Sequence, residues 1–141
     1  MRKEKLEKWL NKRGFALVPS RKDEIDYSEK VVYYNKRLGE ENQLHSILHE
    51  CGHFVLQSSC DYDSRYKIQT EAMLDGRKRR SLQWRISWLR EEYSAWEEGK
   101  ALARKLGVEV DESKYDKYAA KCLCSYCEWV VNPKKFDEVY S

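Results

Sequence analysis

The chain is 141 residues long, 41% hydrophobic and 36% charged, with a net charge of +3 at pH 7. That length suits a single domain over residues 1–141, large enough for a real core but not for two. The charge is too small to single out a class of partner, and the chain has no run of the roughly eighteen apolar residues that a membrane span needs.

The opening "MRKEKLEKWLNKRG" holds no apolar run, so no secretion signal is expected. Five cysteines, an odd number, then argue for reduced thiols in a cytoplasm. Residues 2–12 read as a charged helix with Leu6, Trp9 and Leu10 on one side, stopped near Gly14. "FALVP" (15–19) reads as a short strand ended by Pro19, and "EKVVYYNKR" (29–37), rich in β-branched and aromatic residues, as a second. Gly39 punctuates, and a helix follows from about Glu41 to Gln57. The polar stretch 58–80 is long for a loop in so small a domain, which suggests a function or a short element that the pattern does not place. A long helix fits Ser81 to Leu106, with Ser81 as N-cap and Gly107 just past its end. A last helix fits Ser113 to Val131, ended by Asn132-Pro133. Helix, strands, then three helices predict an α+β fold.

All three histidines lie in "LHSILHECGHFVLQ" (44–57). Residues four apart share a helix face, so His49 and His53 point the same way, as two imidazoles must to grip one zinc ion. Glu50 sits about 100° round from His49, beside such an ion rather than on it, where it can take a proton from an activated water. Leu44, Ile47, Leu48, Cys51, Phe54 and Val55 fall on the opposite side and predict a core face. Gly52 leaves room for a close neighbour. His45 lies one turn further back, about two turns from His53, too far to share a tetrahedral site easily.

A third ligand is expected from the long helix. Within about 60° of Glu92 lie Trp88, Leu89, Ala95, Trp96, Gly99 and Ala103, so this carboxylate sits in the middle of an apolar face, where it is costly without a partner. The partner is either a metal ion or Arg85, two turns earlier on the same face. Glu91 falls at the edge of that face.

A His-Glu-x-x-His helix followed about forty residues later by a helical glutamate resembles the gluzincin metallopeptidases. "LHECGH" after strands, and "EYSAW" on a later helix, are most similar to the ImmA/IrrE-like group and its relatives in phage and mobile elements, over residues 30 to 106. The resemblance implies a small zincin-like domain, mainly helical, with a short antiparallel sheet of two or three strands beside the active-site helix. It implies Zn2+ as cofactor, His49, His53 and Glu92 as ligands, and Glu50 as base. In several gluzincins a carboxylate four residues after the ligand glutamate supports a zinc histidine. That position is Trp96 in this chain, so the support must differ. In zincins an edge strand above the active-site helix pairs with an extended peptide, a role that "VVYYNKR" would take. For a donor to the transition-state oxyanion, Tyr93, His45, Arg85 and Tyr33 are all candidates.

Two other features invite a functional reading. Cys122, Cys124 and Cys127 in "CLCSYC" suggest a second metal site, but Cys122 and Cys124 point about 200° apart on a helix, and a core helix with Tyr118, Ala119, Leu123, Tyr126 and Val130 is the better reading. Arg77, Lys78, Arg79 and Arg80 form a basic cluster, read first as a solvated turn and second as a nucleic-acid contact. The leading expectation is a zinc metallopeptidase in a cytoplasm, that of a host cell if phage-encoded, acting on a protein or peptide substrate. The alternative is a non-enzymatic zinc-containing module that holds a host or phage protein or nucleic acid.

Overall fold

The structure, a computed structural model, describes residues 1–74 and 81–134. Helix α1 (Arg2–Asn11) buries Leu6, Trp9 and Leu10, the three residues its periodicity places together. Gly14 then turns the chain at φ +83°, a left-handed value that favours glycine. Strands β1 (Ala16–Ser20), β2 (Glu24–Asp26) and β3 (Val31–Asn35) form one sheet in the order β1-β3-β2. β3 pairs antiparallel with β2 and parallel with β1, so the sheet is mixed rather than antiparallel. β2 escapes the sequence pattern because three residues, "EID", are too few to show alternation. What makes the hairpin is the turn after it: Asp26 Oδ1 accepts from the Ser28 and Glu29 amides at 3.1 and 3.0 Å, and Lys30 takes φ +57°.

β3 is therefore the middle strand, hydrogen-bonded on both sides. The expectation that "VVYYNKR" offers a free edge is corrected: the edges are β1 and β2.

Helix α2 (Glu40–Gln57) lies against the sheet and buries Leu44, Ile47, Leu48 and Cys51, with Phe54 and Val55 partly covered. Each fully buried leucine or isoleucine of this stripe contributes about 1.5–3 kcal/mol of transfer free energy. The stretch 58–80, unassigned by pattern, holds two short helices, α3 (Tyr62–Arg65) and α4 (Lys67–Leu74). The basic residues Arg77, Lys78, Arg79 and Arg80 lie outside the described residues.

Helix α5 (Leu82–Leu106) starts and stops as its sequence predicts: Ser81 Oγ accepts from the Trp84 amide at 3.1 Å, and Gly107 closes the helix at φ +68°. It meets α2 backbone to backbone. A Cβ built on Gly52 would stand 1.9 Å from the Ala95 carbonyl oxygen, and one on Gly99 would stand 2.5 Å from the Leu48 carbonyl oxygen. Glycine is needed at both places for the two backbones to meet.

Helix α6 (Glu112–Val131) packs across this pair through Tyr115 and Ala119, and the Tyr115 hydroxyl donates to the Trp96 carbonyl at 2.5 Å. Asp111 caps it, its carboxylate accepting from the Lys114 amide at 3.1 Å. Asp111→Ala is expected to cost about 1 kcal/mol of stability in chemical denaturation, through this helix end alone. Cys122 is half-buried, but Cys124 and Cys127 are exposed, so the core reading of "CLCSYC" is right only for its first cysteine. No described helix is long and apolar enough to cross a membrane.

Candidate metal centre

Because α2 and α5 touch backbone to backbone, Gly52 against Ala95 and Gly99 against Leu48, the side chains flanking these contacts meet directly. His49 and His53 project from α2, four residues apart, towards Glu92 on α5. Glu92 Oε2 lies 2.9 Å from His49 Nε2 and 3.2 Å from His53 Nε2, and the two Nε2 atoms are 3.2 Å apart. Among the described residues, this is the one group of three potential ligands that converges on a common point. Tetrahedral zinc with ligand bonds of about 2.0–2.1 Å separates its ligand atoms by about 3.3 Å, close to each side of this triangle.

Hydrogen bonds alone cannot satisfy the three atoms. If both imidazoles donate to Glu92, two N–H groups face each other at 3.2 Å. If one gives up its proton, it has nothing to donate to the carboxylate. A cation at the centre meets all three lone pairs at once, so the donor set fits a zinc ion.

The electrostatics of the protein side chains point the same way. Burial alone would raise the Glu92 carboxyl, yet hydrogen bonds from His49 and His53 outweigh it and hold the group at about 2. Burial would lower His53, but Glu91 and Glu92 raise it to about 10. Burial lowers His49. The cluster thus demands positive charge. Burial pushes Glu50 up to about 8, and its neighbours Asp23 and Glu24, at the start of β2, add to the rise through their charge. Glu50 is buried, at 7% exposure.

The two histidines are held in different ways. His49 lies flat on Trp96, ring centroids 4.1 Å apart and planes inclined by 21°, and its Nδ1 is buried without a partner. Trp96 thus fills with an indole the slot where a supporting carboxylate stands in several gluzincins. His53 turns its Nδ1 towards Glu91 Oε1 at 3.8 Å. Helical angle alone places Glu91 at the edge of the apolar face and gives it no partner. The signal for it was there: two adjacent glutamates, only one of which the metal needs.

The four candidate oxyanion donors lie in different parts of the fold. His45 is fully buried, bonded through Nδ1 to Asn42 at 3.2 Å and packed on the rings of Tyr115 and Tyr118. Arg85 donates from Nε to the Val130 carbonyl at 2.9 Å, near the end of α6. Tyr93 is 56% exposed. Tyr33 belongs to the central strand, opposite Val18 and Glu24. None of these four shares the ligand triangle. Tyr126 of α6, assigned by pattern to the core, is instead close enough for Glu92 and Glu50 to act on it: burial and their charges push its phenol well above the usual range.

A histidine pair with an adjacent buried glutamate on one helix, completed by a glutamate from a second, defines a zincin-type site of the His-His-Glu kind. The chain belongs to the peptidase family described as the IrrE N-terminal-like domain, whose model matches residues 4–80. That span includes His49, Glu50 and His53 but ends before Glu92, whose place beside them is known from the structure. No curated protein and no solved structure matches the chain.

Proposed function

We propose that this chain is a zinc-dependent metallopeptidase of the gluzincin type, hydrolysing a peptide bond in a specific protein substrate. The observation that carries the reading is the triangle of His49, His53 and Glu92 with Glu50 one residue beyond His49. A zinc ion there would polarise the scissile carbonyl and acidify a water molecule at neutral pH. Glu50 accepts the proton of the attacking water and passes it to the leaving amine, the double duty of a general base in peptide hydrolysis. Its burial favours the protonated form, so the carboxylate takes up the proton of the water readily. Tyr126 of α6, near enough for the charges of Glu92 and Glu50 to act on its phenol, would be the donor to the developing oxyanion. The strand edge on the Glu50 side of the sheet is β2, and an extended substrate would run along it.

The test is metal analysis with variants. Purified protein is expected to hold one zinc per chain, and His49→Ala and Glu92→Ala to lose it. At free zinc 1,000-fold above its Kd, the parent gains about 4 kcal/mol, a rise in Tm of roughly 10–15 °C that a chelator reverses. Protein that binds no zinc, or a His49→Ala variant that binds it as well as the parent, would end this reading.

A further inference from the structure

We infer that Glu91 is the carboxylate that orients His53 for the metal, and that the α3–α4 segment is part of the site because it holds Glu91 in place. This rests on the metal-site reading above and adds to it a positioning residue and its scaffold. A histidine that offers Nε2 to a metal must carry its proton on Nδ1, and that N–H needs an acceptor. For His53 the acceptor facing Nδ1 is Glu91 Oε1, at 3.8 Å, an ion-pair distance one small side-chain movement from a hydrogen bond.

Glu91 is itself fixed from outside. The Tyr62 hydroxyl of α3 donates to Oε1 at 2.9 Å, and the Gln69 amide of α4 donates to Oε2 at 2.5 Å. The Ser87 hydroxyl donates to Gln69 Oε1 at 2.9 Å and so sets which way that amide faces. Glu91 is 6% exposed, and apart from His53 these donors are neutral. Once His53 is neutral, as a metal ligand must be, Glu91 is left with neutral donors alone and is poorly compensated. Glu91 and Glu92 together bring two negative charges, which a divalent ion shared through His53 would balance. Position 96 holds an indole, and the supporting carboxylate comes one residue before the ligand glutamate, about 100° round the helix towards α4.

The experiment measures the zinc dissociation constant by competition with a chromophoric chelator, alongside the Tm of the metal-free chain. Glu91→Gln is expected to weaken zinc binding about 10–100-fold, the usual loss when such a partner is removed. Tyr62→Phe is expected to weaken it less, in the same direction, and to add little on top of Glu91→Gln, because both act through one carboxylate. A merely structural role for Glu91 would lower the metal-free Tm and leave the affinity of the folded fraction unchanged; that result overturns the inference, as does Glu91→Gln binding zinc within twofold of the parent. Should Glu91→Gln fail to fold, Tyr62→Phe and the imidazole nitrogen NMR shifts of His53 in the parent decide. A protected Nδ1–H on His53 supports the assignment, and an Nδ1 without a proton, or unchanged affinity in Tyr62→Phe, refutes it. A parent that binds no zinc is a separate outcome: it ends the metallopeptidase reading itself.

Discussion

Glu50→Gln is expected to lower kcat/KM for peptide-bond cleavage by about 10²–10⁴-fold while leaving zinc content at one ion per chain. The two halves of this result come from the two sides of one helix turn. His49 and His53 face Glu92, whereas Glu50 is rotated away from the triangle and binds nothing that the ligand atoms need. Glutamine keeps the size and the hydrogen-bonding shape of the side chain but cannot accept and return a proton. It also removes a carboxyl whose burial disfavours charge, so the fold is not weakened by the change. The variant therefore holds a substrate without cutting it, and the same partner must be cleaved by the parent at a defined bond. Full activity in Glu50→Gln would remove the base from the mechanism; loss of zinc along with activity would show that Glu50 supports the ligands instead.

Gly52→Ala is expected to be the most damaging single methyl group in the molecule. Its Cβ would meet the Ala95 carbonyl oxygen at 1.9 Å and the Gly99 amide nitrogen at 3.0 Å, both backbone atoms of a buried helix. No side chain can rotate aside, so α2 and α5 must separate by more than an ångström. Overpacking of a core commonly costs 1–3 kcal/mol, and a backbone clash falls at or beyond the top of that range. A loss of about 3 kcal/mol corresponds to roughly 10 °C in Tm for a domain of this size. The same separation carries Glu92 away from the histidines, so zinc affinity should fall together with stability. Thermal unfolding with and without zinc measures both. A Gly52→Ala protein with parental Tm would mean that the helices do not cross where the structure puts them.

The elements with strong periodicity were legible before any coordinates. The stripes of α1 and α2, the Ser81 and Gly107 caps of α5 and the end of α6 at Asn132 all follow from local chemistry. A carboxylate amid Ala95, Trp96 and Gly99 needed a partner, but its local pattern left that partner open between a metal ion and Arg85; the structure sets Glu92 beside the histidines. What pattern could not supply was long-range. The parallel pairing of β1 with β3 depends on where a three-residue strand inserts, and three residues carry no period. The support of His53 depends on α3 and α4 folding back over α5, which is a tertiary event. His45 shares the helix face of His49 by angle alone, but one turn of rise puts it under Tyr115 and Tyr118 rather than at the metal.

The crossing at Gly52 and Gly99 also separates two properties that a motif search treats as one. The recognisable signature ends with the matched residues 4–80, but the ability to hold an ion needs Glu92, delivered by a helix beyond them. What joins the two is not a side-chain motif but the lack of side chains: two glycines with nothing to recognise except smallness. A relative could therefore keep "HECGH" letter for letter and lose its metal through one added methyl at the position of Gly99 on the second helix. Another could rewrite most of the second helix and keep the metal, provided a carboxylate and a glycine stayed two turns apart.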